Sequence, residues 1–189
     1  MDYTTLSLAD VKAALADIGR DVERSFGPLN ARQLNWRPDA TRWSVAQCLE
    51  HLLTTNRLMF SRADDALNPA FPRTIWQRLP GLPAMFGKLL VRSQAPPPTR
   101  KYRAPAPARP STSDIATDVV QRFVAQHREA VDRAAVLDEG RAARTIMTSP
   151  FARVITYSVL DGWRLILAHD RRHVEQARRV TQAAEFPRS

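Results

Sequence analysis

The sequence predicts an all-α protein. Apolar residues recur at spacings of three and four over four long stretches, the signature of amphipathic helices. Glycine is scarce, six in 189 residues, and few of the six fall inside those stretches. Capping signals of the Ser-x-x-Gln kind stand where two of the stretches begin. Four long helices in a chain of this length point to a four-helix bundle in one domain, residues 1–189.

The first helix is expected from Ser7 to Phe26, with Leu8, Val11, Leu15, Ile18 and Val22 on one face. Ser7 is its N-cap, Asp10 approximates a capping box, and Gly27-Pro28 stops it. A turn through Trp36-Arg37-Pro38-Asp39 follows. The second helix begins after Trp43, with Ser44 as N-cap and Gln47 completing the box, and carries Val45, Cys48, Leu49, Leu52 and Leu53 towards Leu67. Residues 68–112 form a Pro-rich basic insertion. Within it Thr74–Arg92 is dense enough in apolar residues for one or two short helices, and Ala95–Pro110 reads as extended, polyproline-like chain. The third helix is expected from near Ser113, with Ile115, Val119, Phe123, Val131 and Val136 as its stripe and Gly140 as its stop. The fourth is expected from beyond Pro150 to about Ala184, with Val154, Val159, Trp163, Ile166 and Val174. The short links after the first and third helices favour antiparallel neighbours, and the link of about 45 residues between the second and third allows a crossover with parallel middle helices.

Hydrophobic residues make up 44% and charged residues 25%, which fits a soluble globular protein. No apolar run approaches the roughly 18 residues of a membrane span, and the N-terminus lacks the pattern of a signal peptide. No membrane partner is therefore expected. The single cysteine, Cys48, excludes an intrachain disulfide and suits a reducing cytoplasm. The net charge of +9 suggests nucleic acid until its distribution is considered. Between Asn68 and Pro110 lie eight basic residues, ten of the fourteen prolines and no Asp or Glu, so the helical remainder is nearly neutral. The aromatics there (Phe71, Trp76, Phe86 and Tyr102) are too sparse for base stacking, and nucleic acid is not an expected partner.

The chemistry concentrates in histidine. His169 and His173 are four apart on the last helix and share a face, with Gln176 beside them. His51 interrupts the inward stripe of the second helix in the same way. Buried imidazoles must have their donors and acceptors satisfied, and one divalent ion satisfies three acceptor nitrogens together. Three such nitrogens with an open position make a catalytic rather than a structural arrangement. The alternative reading is a solvated surface run, Asp170-Arg171-Arg172-His173; spacing alone does not bring His51 to the other two.

A resemblance bears on that choice. Trp36-Arg37-Pro38, followed by Trp43-Ser44 and the helix reaching His51-Leu52, resembles the second-helix signature of the DinB-like superfamily. His169-Asp170-Arg171-Arg172-His173-Val174-Glu175-Gln176 resembles the fourth-helix motif of the same family. The resemblance implies an up-down-down-up four-helix bundle and a divalent metal, zinc or nickel, on His51, His169 and His173. It further implies a homodimer and, among members of known activity, transferases and isomerases that use low-molecular-weight thiols.

The remaining polar residues have plainer readings. His127 reads as a satisfied core histidine, with a fourth ligand or general base as the alternative. Gln47 and Gln176 are either hydrogen-bond partners that orient a ligand ring or core-edge glutamines. Glu50 reads as solvated, Cys48 as a small buried hydrophobe, and Trp36 and Trp43 as clamps of the turn into the second helix. Two functions are expected to compete. One is a metal-dependent enzyme acting on a small molecule, by small-thiol transfer or hydrolysis. The other is a non-catalytic metal-binding bundle with a stress-related role. The first lacks an obvious carboxylate base beside the triad.

Overall fold

The computed structural model describes residues 1–97 and 103–188; Arg100, Lys101 and Tyr102 of the basic segment lie outside them. The described chain is mostly helical, as the periodicity predicts. Its helices are α1 (Leu8–Phe26), α2 (Ala31–Asn35), α3 (Val45–Leu67), α4 (Leu82–Gln94), α5 (Val119–Ala135), α6 (Glu139–Arg144) and α7 (Val159–Thr181), with short 3-10 turns at Tyr3–Thr5, Ile75–Arg78 and Ala106–Ala108. One antiparallel hairpin, β1 (Ile146–Thr148) and β2 (Thr156–Ser158), departs from the all-α expectation.

The caps form as the sequence predicts. Ser7 Oγ accepts from the Asp10 amide at 3.1 Å while the Asp10 carboxylate accepts from the Ser7 amide at 2.9 Å. Ser44 and Gln47 make the same reciprocal pair at the start of α3. Each box satisfies amides that the first helical turn leaves unpaired.

The four long helices share one core, with Val11, Leu15, Leu49, Leu52, Phe123 and Leu167 among its fully buried members. Both α1 and α3 pack mainly on α5 and α7. The sense of each pairing follows from contacts along it. His51 meets His169, Asn56 meets Asp170 and Phe60 meets Trp163, so α3 and α7 run in opposite directions. Gln126 reaches the Leu53 carbonyl and Arg133 reaches Asp64, so α3 and α5 run the same way. Arg164 reaches the Leu6 carbonyl and Arg178 reaches Asp21, which makes α1 and α7 parallel. Thus α1 and α3 are not the side-by-side neighbours that their short link suggests. That link contains α2, which packs on α3 and carries the chain across the end of the bundle. Gly19 of α1 permits a close approach to α5: a Cβ there would sit 3.3 Å from His127 Cβ.

Three boundaries differ from expectation, each for a local reason. Helix α5 starts at Val119 rather than near Ser113, because Asn35 grips both backbone groups of Ile115, at 2.9 Å each, and holds that stretch out of the helix. It ends at Ala135, leaving Val136 88% exposed rather than on the stripe. Gly140 is not a stop; it lies inside α6, which Asp138 caps by accepting from the Arg141 amide. Finally, α7 begins at Val159 rather than just beyond Pro150. Thr156-Tyr157-Ser158 is extended chain paired with Ile146–Thr148, Val154 is 47% exposed, and Ser158 caps the helix by accepting from the Asp161 amide at 3.0 Å.

Candidate metal centre

His51 comes two turns into α3, and His169 and His173 one turn apart on the facing stretch of α7. The antiparallel packing of these helices brings the three rings together. Their centroids are 4.6–5.1 Å apart, each pair meeting edge to face. One nitrogen from each ring lies within 4.8 Å of the others. His51 Nε2 and His169 Nε2 are 3.2 Å apart.

The His51 ring is oriented by the main chain. Its Nδ1 lies 2.5 Å from the Ala108 carbonyl. A carbonyl can only accept, so Nδ1 carries the hydrogen and Nε2 presents a lone pair to the other rings. The segment bearing Ala108 is itself fastened to α3. Gln47 Nε2 donates to the Ser111 carbonyl at 2.8 Å, and the Ser111 amide donates to Glu50 at 2.6 Å. Gln47 is therefore a second-layer anchor, and Glu50 is not merely solvated. It grips the backbone three residues from the carbonyl that orients His51.

Trp43 closes one side of the cluster. Its ring stacks on His173 (5.6 Å between centroids, 23° between planes) and lies 4.9 Å from His51. From the sequence, a turn clamp is the main expectation for Trp43 and a binding role the minor one. Trp36 does keep to the turn, packing edge-on against Phe186 at 5.6 Å.

The rings are electrically neutral at ordinary pH. Burial pushes His169 well below the usual histidine range, and His173 and His51 add to the effect. His173 falls to about 3, through burial first and then the nearby His51 and Arg172, with a hydrogen bond to Gln176 opposing. His51 is also lowered by burial, against the Ala108 carbonyl and Asp170. Neutral nitrogens are the form that a metal requires. His173 Nδ1 is buried with no hydrogen-bond partner among the described residues. An orphaned buried nitrogen beside two others suits a shared cation, because the ion removes the cost of leaving it unpaired. Three nitrogens each about 2.1 Å from one tetrahedral ion lie roughly 3.4 Å apart, close to the observed His51–His169 separation. The residues fit a divalent metal.

The other candidates are not part of the group. Cys48 is buried and its thiol is pushed up to about 12 by desolvation, which makes it an inert core residue. His127 is a satisfied core histidine: Nδ1 faces the Phe123 carbonyl at 3.1 Å and Nε2 faces Asp170 at 3.0 Å. Asp170 is 0% exposed and also accepts from the Asn56 amide at 3.1 and 3.2 Å. The sequence reading missed this buried carboxylate by grouping it with its basic neighbours. The available signal was the helical wheel, since Ile166, Leu167, Val174 and Ala177, three, four and seven positions away, are all core residues.

The triad opens into a cavity of about 240 Å³. Its walls are largely apolar and come from α3, α4, α7, the β1–β2 loop and residues 103–105. Among the described residues no helix is long and apolar enough to cross a membrane.

The model of the DinB superfamily matches residues 14–177, a span that includes all three histidines and both helices that carry them. The chain belongs to the DinB superfamily. No curated protein and no solved structure matches it. For this DinB-superfamily chain, then, the described site rests on its own geometry: three histidines placed to hold a divalent ion at the base of a small-molecule-sized cavity.

Proposed function

We propose that this chain is a metal-dependent enzyme acting on a small molecule, with a zinc or nickel ion held by His51, His169 and His173. One observation carries the reading: three neutral, largely buried imidazoles from two helices converge at the end of a cavity. Structural zinc sites usually have four protein ligands, whereas a three-ligand set leaves a position for substrate or solvent. When bound, such an ion supplies Lewis acidity, lowering the pKa of a water or thiol that reaches it. The chain's own contribution is positioning. The Ala108 carbonyl fixes the His51 tautomer, Trp43 covers the His173 face, and the apolar walls limit water. The chemistry fits a small-thiol-dependent transferase or a hydrolase, with a low-molecular-weight thiol as second cofactor in the first case.

The same reading takes residues 1–189 as a single up-down-down-up four-helix domain, with residues 68–112 as its crossover. The parallel α3–α5 and antiparallel α3–α7 contacts support it. It includes a homodimer, favoured by the exposed Ile75, Met85 and Leu89, and a cytoplasmic location, favoured by the single buried cysteine. A second reading, a non-catalytic metal-binding bundle with a stress-related role, is favoured by one observation: no Asp or Glu is among the described residues lining the cavity. Metal analysis of the purified protein tests the centre. Near-stoichiometric zinc or nickel is expected, lost in His51→Ala and in His169→Ala; a wild-type protein that takes up neither metal on reconstitution defeats both readings. Loss of a small-thiol adduct together with the metal favours the enzyme. Metal loss with a lower Tm and no ligand effect favours the structural role.

A further inference from the structure

The cavity above the triad has walls whose polar side chains are occupied elsewhere. The Thr55 hydroxyl donates to carbonyls of its own helix at 3.0 and 3.1 Å. The Asn56 amide is turned to Asp170. The Tyr157 hydroxyl donates to Met59 Sδ at 3.4 Å, and burial pushes that phenol far above its usual range. Apart from the triad, Gln94, Ser149 and two arginines, what remains towards the cavity is apolar: Met59, Leu90, Phe151, Ile155 and Leu165 all line it.

The charges around the same cavity have one sign. Two arginines, Arg103 and Arg172, line it, and no Asp or Glu is among the described lining residues. Arg172 is tethered to the end of α4, with Nη1 donating to the Ser93 carbonyl at 3.2 Å and to Gln94 Oε1 at 3.4 Å. Arg103 is exposed and, among the described residues, has no ion-pair or hydrogen-bond partner. The imidazoles contribute no negative charge. A cation entering this space would meet nothing to offset its own charge, and a fully polar molecule would lose solvation against the walls.

We propose that the cavity binds a small organic anion, its apolar body against Met59, Leu90, Phe151, Ile155 and Leu165 and its carboxylate-type group held by Arg103. The inference deepens the small-molecule reading and rests on it for the location of the site. It does not need the metal. An arginine fork matches a carboxylate through two parallel N–H donors, which a lysine or a neutral amide cannot reproduce. At roughly 30 Å³ per water, the cavity holds about eight waters, so a ligand of roughly ten heavy atoms fits.

Calorimetric titration with octanoate, octan-1-ol, octylamine and acetate tests the proposal on both metal-stripped and metal-loaded protein. Octanoate is expected to bind about tenfold tighter than octanol in the stripped protein, with acetate and octylamine undetectable. In Arg103→Gln the preference for octanoate over octanol should vanish while octanol binding and metal content stay unchanged. Added salt should shrink the preference in the wild type. Equal binding of octanoate and octanol overturns the proposal, and so does acetate binding as well as octanoate. A preference that appears only after metal loading and ignores Arg103→Gln places the anion on the ion; that defeats this inference and leaves the metal centre standing. An Arg103-dependent preference in a protein that never takes up metal does the reverse.

Discussion

Two polar clusters flank the same turn of α7, and they begin at adjacent residues. His169 turns to His51 and His173; Asp170, the next residue, turns to His127 and Asn56. Both clusters interrupt an apolar core, yet they are built to opposite ends. In the Asp170 cluster every bond is closed within the protein. His127 faces an acceptor with each nitrogen, the Phe123 carbonyl on one side and the Asp170 carboxylate on the other. The Asn56 amide completes the carboxylate. In the triad the rings face one another with nitrogens to spare, and one nitrogen of His173 has no partner at all among the described residues. A polar group in a core that is fully paired holds helices together. One left unpaired, beside a cavity, is kept for something that binds.

The largest effect that can break this contrast comes from the closed cluster. Asp170→Ala leaves His127 and Asn56 buried without their acceptor and should cost about 3–5 kcal/mol in urea unfolding. If Asp170 instead serves the triad, stability will change little and metal content will fall. The next effect is acid sensitivity of the metal-free protein. The triad histidines have folded-state pKa values below the unfolded value of about 6.5, so between that pH and the lower folded values the unfolded chain binds more protons. Stability is then complete above about pH 6.5 and declines as pH falls towards about 3, the folded-state value of His173. At the acid end of that window carboxylates such as Asp10, which Ser7 holds low, add a loss of the same sign. His173→Ala should flatten the upper part of the decline, measured by thermal unfolding across pH; an unchanged slope would mean that the rings are not held neutral. Smaller again is Glu50→Ala. Releasing Ser111 loosens the segment that orients His51, and metal affinity should drop about tenfold with little change in Tm. An equal loss of Tm and affinity would make Glu50 a fold residue instead.

How much of this could be read beforehand depends on where the information is held. Helix starts were legible because Ser7 with Asp10, and Ser44 with Gln47, are local codes that act within one turn. The triad was legible because its spacing and its flanking Trp-Ser and His-Leu pairs carry the signal. Asp170 was hidden by its chain neighbours, since Arg171 and Arg172 suggest a solvated run whereas its neighbours along the helix face are core residues. The late start of α5 depends on Asn35, which lies 80 residues from Ile115 in the chain, and no local pattern encodes it. The extended Thr156-Tyr157-Ser158 segment takes its conformation from pairing with Ile146–Thr148, a partner that a helix-seeking window does not consult.

The group that aims His51 belongs to the peptide unit of Ala108, not to a side chain. Ala108 is itself fully buried, so a substitution small enough for that site would keep the carbonyl and leave the centre undisturbed. Gain or loss of one residue between Pro105 and Ser111 would slide a different carbonyl, or none, under the ring. Variation that retunes this protein should accordingly be sought in the length of that stretch before its composition.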